Sequence, residues 1–138
     1  MSHRTDLVVR FYELDPYDHV NHSVYIQYFE AARVEWLTAI GYPLEKLKAE
    51  GTQIVVTELH TRYLGSAGPG DRLTIESGDR LTIESELVEL RRASMTFEQR
   101  IRRGDELLVT QTISAATVSA TGRPIRVPEG LARALGDG

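Results

Sequence analysis

Between Ser23 and Ile40, the residues Tyr25, Phe29, Ala32, Trp36 and Ile40 recur at steps of three and four, the period of one face of an α-helix. Val24, Ile26 and Tyr28 place more apolar surface away from that face. A helix so apolar around its circumference has to be enclosed by protein. Gly41 and Pro43 follow it, the order in which helices commonly end. After a short helical or irregular connection at 46–50, the chain changes to the two-residue period of strands. Residues 53–64 (QIVVTELHTRYL) precede a breaker cluster, GSAGPGD; residues 80–90 carry Leu81, Ile83 and Leu87 at even spacing. Residues 93–103 align Ala93, Met95, Phe97 and Ile101, and Gly104-Asp105 turns the chain into a last strand at 106–119. Ahead of the helix, Leu7, Val9 and Phe11 alternate within a strand at 5–13 that Pro16 ends, and residues 128–135 read as a short terminal helix. One strand, one buried helix and an antiparallel meander predict an α+β fold with the helix lying across one sheet face.

Composition narrows the function classes. A chain of 138 residues is expected to form one domain with one core. The absence of cysteine excludes disulfides, thiolate nucleophiles and Cys-ligated zinc. No apolar run approaches the roughly 20 residues that cross a bilayer, and the first residues lack a signal-peptide pattern, so a cytoplasmic protein is expected, with no membrane partner. A formal net charge of −4 argues against broad nucleic-acid binding, while leaving room for local arginine clusters that hold a small polyanion.

Residues 70–77 (GDRLTIES) are repeated without change at 78–85. The repeat is too short for a solenoid unit and reads as a local duplication. Eight is even, so a shift by one copy keeps every side chain on its own sheet face and either copy can pair in an equivalent register. The surplus copy would lengthen a strand by about 26 Å, more than such a sheet accommodates. One copy is therefore expected to bulge or loop out with Gly78 at the bend; the alternative is a long projecting ribbon.

The stretch ELDPYDHVNHSVY, residues 13–25, gathers polar and titratable groups just before the buried helix. Pro16 holds Asp15 in a turn. The loop runs directly into the helix start, where backbone N–H groups lack intrahelical acceptors and the helix dipole is positive. Amides of Asn21, His22 and Ser23 could stabilise an oxyanion forming on a carbonyl, while Asp15 attacks that carbonyl or deprotonates a water that does. This is acyl-transfer apparatus without serine or cysteine.

The run D-P-Y-D-H-V-N-H-S-V-Y, followed by Y-F-E-A-A-R-V-E-W-L, resembles the D-x-x-G-H-V-N-N/H-x-x-Y…F-E-x-A-R motif of the 4-hydroxybenzoyl-CoA thioesterase-like acyl-CoA thioesterases. The likeness continues through E-L-H-T-R-Y-L and G-D-R-L-T-I-E-S-E-L to G-R-P-I-R-V-P-E. It implies the hotdog fold, a curved antiparallel sheet wrapped around a long central helix. It also implies a homodimer or dimer of dimers with substrate clefts between subunits, and an acyl-CoA or acyl-carrier-protein thioester as substrate. No cofactor is implied beyond the coenzyme A of the substrate, and no metal. By the same resemblance Asp15 is the catalytic carboxylate and the amides near Asn21 and His22 are the oxyanion site. Two departures stand out: Asp18 occupies the usual glycine position, where a second negative charge would raise the pKa of Asp15, and the duplication is foreign to the pattern.

Other residues receive expectations of their own. His19 orients Asp15, touches the thioester, or serves as a buried hydrogen-bonding spacer. Asn21 organises the loop or caps the helix as well as being a candidate at the reacting centre, and His22 faces solvent or packs. Tyr17 and Tyr25 are candidate acyl contacts, Tyr25 being equally suited to the core. Glu30, in an apolar helix, is expected to be satisfied by Arg33 or by a loop group. Arg91, Arg92, Arg123 and Arg126 are candidates for the phosphates of coenzyme A, against the alternative of solvated loop and strand-end residues. Rival functions are a hydratase or dehydratase of the same fold, using His19 with a carboxylate, and an acyl-CoA-binding module without catalysis.

Overall fold

The computed structural model describes residues 2–9, 22–64 and 78–136. In chain order these form β1 (Ser2–Val8), α1 (His22–Ala39), α2 (Leu44–Ala49), β2 (Gln53–Tyr63), β3 (Arg80–Leu90), β4 (Ser94–Arg103), β5 (Glu106–Val118) and α3 (Glu129–Gly136). The strands make one antiparallel sheet in the order β1-β3-β4-β5-β2, so β1 and β2 are its edges.

The helix forms where the three-four period placed it. Tyr25, Tyr28, Phe29, Ala32, Trp36 and Leu37 are buried, and the helix packs on one face of the sheet. Its end is the expected one. Gly41, at φ +88°, donates its N–H to Thr38 O (3.1 Å), and Tyr42 donates to Leu37 O (2.8 Å). These two bonds satisfy carbonyls that the helix leaves open, in a conformation glycine adopts without strain. Leu131 and Leu135 of α3 are buried beside Trp36 and Leu37.

β1 begins at Ser2, three residues before the alternation of Leu7, Val9 and Phe11 placed its start. The ladder with β3 extends through Ser2↔Glu86. Backbone pairing needs no apolar side chains, which is why the polar start of β1 carried no pattern. Residues 10–13 of the expected strand lie outside the described residues.

Of the duplicated octapeptide, only the second copy is described. Gly78 has φ +89°, its N–H donates to Val9 O (2.9 Å), and Val9 N–H donates to Asp79 O (2.9 Å). Arg103 pairs with Asp79 (3.1 Å). Arg80 then opens β3, with Leu81, Ile83 and Ser85 buried. The second copy is thus bonded into the sheet as the start of a strand.

β2 and β3 are separated by β5 and β4, about 14 Å at three strand spacings. If residues 70–77 are deleted, the five residues between Leu64 and Gly78 still span about 20 Å. The deletion variant is expected to keep its far-UV circular dichroism and melt within a few degrees of the parent; loss of the cooperative melt would show that the first copy carries structure of its own.

Candidate functional site

Asp15, Tyr17, His19 and Asn21 lie outside the described residues. His22 and Ser23 open α1, in the first turn where N–H groups have no acceptor within the helix. Tyr25 is in the core, 2% exposed, edge-on to Tyr28 (6.2 Å) and Tyr63 (5.7 Å). Burial pushes its phenol well above the ordinary value of 10.0, and that of Tyr63 upward too.

The four candidate arginines separate. Arg92 and Arg126 flank one shallow groove with Ala93, Pro124 and Ile125. The pairing of Val127 N–H with Arg92 O (2.7 Å) and Ile125 N–H with Thr117 O (2.9 Å) brings them together. Arg91 is paired with Glu89 (2.5 Å). Arg123 is exposed in the turn after β5, where its N–H donates to Ser119 Oγ (3.2 Å).

α1 runs from the end of the sheet marked by Ile83, Ile101 and Val109 to the end marked by Met95, Phe97 and Ile113. Its 18 residues cover about 27 Å. The Arg92–Arg126 groove adjoins the second of these ends, so within one chain it lies far from the start of α1.

Between the two apolar ends runs a polar row that the sequence reading did not single out. His3, Ser85, Gln99, Gln111 and Thr61 are register partners across all five strands. Ser85, Gln99 and Gln111 are at most 1% exposed. Gln99 Nε2 donates to Ser85 Oγ and to Phe29 O, both at 3.0 Å. Arg33 Nη1 donates to Gln99 Oε1 (2.8 Å) and Gln111 Oε1 (3.0 Å), and Gln111 Nε2 donates to Thr61 Oγ1 (2.9 Å). The signal was a gap: Ile83 and Leu87, and likewise Phe97 and Ile101, bracket a polar residue at an inward position. Glu30 was expected to be satisfied by Arg33 or by a loop group; the loop before α1 lies outside the described residues, Glu30 is exposed, and Arg33 turns to the two glutamines. A helix face turned partly to solvent removes the burial that would have forced the pair.

Beside the row, Arg33, Val34, Trp36 and Leu37 of α1 face Ile54, Val56, Met95, Phe97, Ile113 and Ala115 of the sheet across a cleft of about 100 Å³, with Glu30 also at its wall. Burial lowers the pKa of Arg33 to about 10, partly offset by the charge of Glu30. Among the described residues no cluster of three or more His, Cys, Asp or Glu side chains suits a metal ion, and no helix is long and apolar enough to cross a membrane.

The model of the thioesterase-like superfamily matches residues 9–135. The chain belongs to that superfamily. It is 30% identical over 112 residues to an acyl-CoA thioesterase, YbgC, of Haemophilus influenzae, covering 80% of this chain and 76% of the relative. It is 32% identical over 75 residues to the chloroplastic acyl-acyl carrier protein thioesterase ATL3 of Arabidopsis thaliana, but covers only 40% of that relative's length and 54% of its own. Among solved structures, a hypothetical protein from Thermus thermophilus is similar at 31% identity and TM-score 0.84, over 99% of this chain and 97% of that one. The sheet-and-helix arrangement is the hotdog fold expected from the resemblance.

Two outcomes follow from the buried groups. Gln99→Met strands Ser85 Oγ, Phe29 O and one bond of Arg33, and is expected to cost about 1–3 kcal/mol in urea unfolding. For Tyr25 and Tyr63, folded pKa values above the unfolded ones contribute stability that is intact below pH 10 and lost as pH rises. Tyr25→Phe should therefore move the alkaline unfolding midpoint upward, as read by circular dichroism against pH.

Proposed function

We propose that this chain is an acyl-CoA or acyl-carrier-protein thioesterase in which Asp15 and the start of α1 divide the work. Membership of the thioesterase-like superfamily sets the reaction class, and the match from residue 9 to 135 carries the proposal because it spans the loop holding Asp15. The amides of Asn21, His22 and Ser23 stabilise the oxyanion on the thioester carbonyl. Asp15 either takes a proton from water, so that water oxygen bonds to carbon as the C–S bond breaks, or attacks the carbonyl to form an anhydride that water then opens. In both routes the proton ends on the coenzyme A thiolate, giving free acid and thiol. His19 and Asn21 hold the loop and the attacking group in place, and Tyr17, two residues after Asp15, is an acyl contact. No cofactor enters the reaction.

β2 supports an assembly of two copies. It is a sheet edge of 11 residues, with Val55, Val56 and Leu59 between 42% and 45% exposed. Among the described residues no strand pairs with its outer side, and a long edge carrying exposed apolar side chains invites another strand. Antiparallel pairing of β2 with its copy about a two-fold axis sets the Arg92–Arg126 end of one subunit alongside the α1 start of the other. The arginine groove then serves the phosphates of a coenzyme A whose thioester lies at the partner's helix, and two such dimers can associate further.

The decisive measurement is thiol release from a panel of acyl-CoA and acyl-carrier-protein thioesters. Hydrolysis is expected, with Asp15→Asn lowering kcat at least about 100-fold and leaving KM nearly unchanged. Equal rates in mutant and parent would remove Asp15 from the mechanism. An enoyl absorbance change without thiol would indicate a hydratase, and saturable binding without turnover a binding module.

A further inference from the structure

Arg33 is a cation in a largely apolar place. Its two hydrogen bonds both leave from Nη1, toward the amide oxygens of Gln99 and Gln111. No carboxylate among the described residues stands within 4.0 Å of its guanidinium, and Arg33 is one of the residues that line the cleft. Glu30, one turn earlier, is exposed, so its charge is held in water and reaches Arg33 only through a screened field. Apart from Arg33 itself and Glu30, which also stands at the wall, the lining is hydrocarbon, with Trp36, Leu37, Ile54, Met95, Phe97 and Ile113 among it. A volume of about 100 Å³ compares with roughly 10–15 Å³ for one water on the same kind of measure. The cleft therefore has room for several carbons.

We infer that this cleft is a carboxylate site for an amphipathic acid, with Arg33 pairing with the carboxylate and the apolar walls taking the chain. An apolar body satisfies the walls, and an oxyanion supplies a counter-charge that no carboxylate among the described residues provides within 4.0 Å of Arg33; guanidinium and carboxylate match in geometry and in charge-assisted hydrogen bonding. Two sources provide that chemistry. One is the free acid released by the proposed hydrolysis, acting as an inhibitor or regulator. The other is an acyl group with a second carboxylate at its far end. The choice of ligand class rests on the thioesterase reading, but binding to the cleft needs no turnover, so the two are tested separately.

Trp36 is the sole tryptophan of the chain and lines the cleft, so its fluorescence reports occupancy directly. The full chain is titrated with octanoate and, as a neutral counterpart, octan-1-ol; 8-bromooctanoate is used to test quenching by contact. Octanoate is expected to bind about tenfold more tightly than the alcohol, the scale of one charge-assisted pair, and the bromo acid to quench Trp36. Arg33→Met should reduce the preference to about one. Arg33→Lys, which keeps the charge if the methionine variant does not fold, should retain part of it. Inhibition of octanoyl-CoA hydrolysis by octanoate would assign the site to the product. A higher kcat/KM for the ω-carboxyoctanoyl thioester, lost in the Arg33 variants, would assign it to the acyl tail. Equal binding of acid and alcohol, or an acid preference that survives Arg33→Met, overturns the inference. So does an Arg33 variant that breaks the dimer while octanoate leaves Trp36 unmoved, since a second copy would then be the occupant.

Discussion

Gln99 donates through one side-chain nitrogen to the carbonyl of Phe29 in α1 and to Ser85 in β3, and its oxygen accepts from Arg33 one turn further along the helix. Three elements are thereby fixed to a single buried amide. A buried amide is costly when unmet and directional when met. The helix consequently has one axial position on the sheet at which Phe29 and Arg33 both reach their partners. Apolar packing alone, which tolerates many similar-sized contacts, would leave that position less defined. The helix start depends on this register, because a rigid helix transmits the placement of Phe29 to His22, about two turns away.

The polar row also divides the interior. On one side Tyr25, Phe29, Ile83, Ile101 and Val109 pack together; on the other, Trp36, Met95, Phe97, Ile113 and the α3 leucines do. The first cluster surrounds the beginning of α1, the second its end and the cleft. The opposite sheet face is ordinary solvated surface. Arg102 there bonds Glu84 and holds its carboxyl below the usual range, in a half-buried pair. The buried polar row and the cleft thus lie on the helix side of the sheet.

Much of this was legible in order. The α1 span, the strand spans of the second half, the Gly41 exit and the Gly104-Asp105 turn follow from local periods and local φ preferences, which the chain carries wherever it is placed. Legibility stopped where a residue's meaning depends on the residue across from it. Ser85 and Gln99 interrupt otherwise apolar alternation, and only the register sets them beside Gln111, Thr61 and Arg33. The four arginines were equivalent as sequence; only the path of residues 123–127 against β5 brought Arg126 to Arg92. Arg33 and Glu30 looked like a helix pair because i,i+3 spacing permits one, and burial on one side with water on the other separated their partners.

By itself the sequence determined the α+β class, the span of the long helix, the cysteine-free chemistry and the motif by which the superfamily is recognised, since each depends on residues near one another along the chain; the helix expected to be enclosed instead keeps one face, with Glu30 and Glu35, in solvent. The tertiary structure alone decided that Tyr25 is core, that a polar row crosses all five strands, and that Arg33, bonded to two glutamines, lines a largely apolar cleft. Those outcomes depend on register and on desolvation, which arise only when distant segments exclude water from each other.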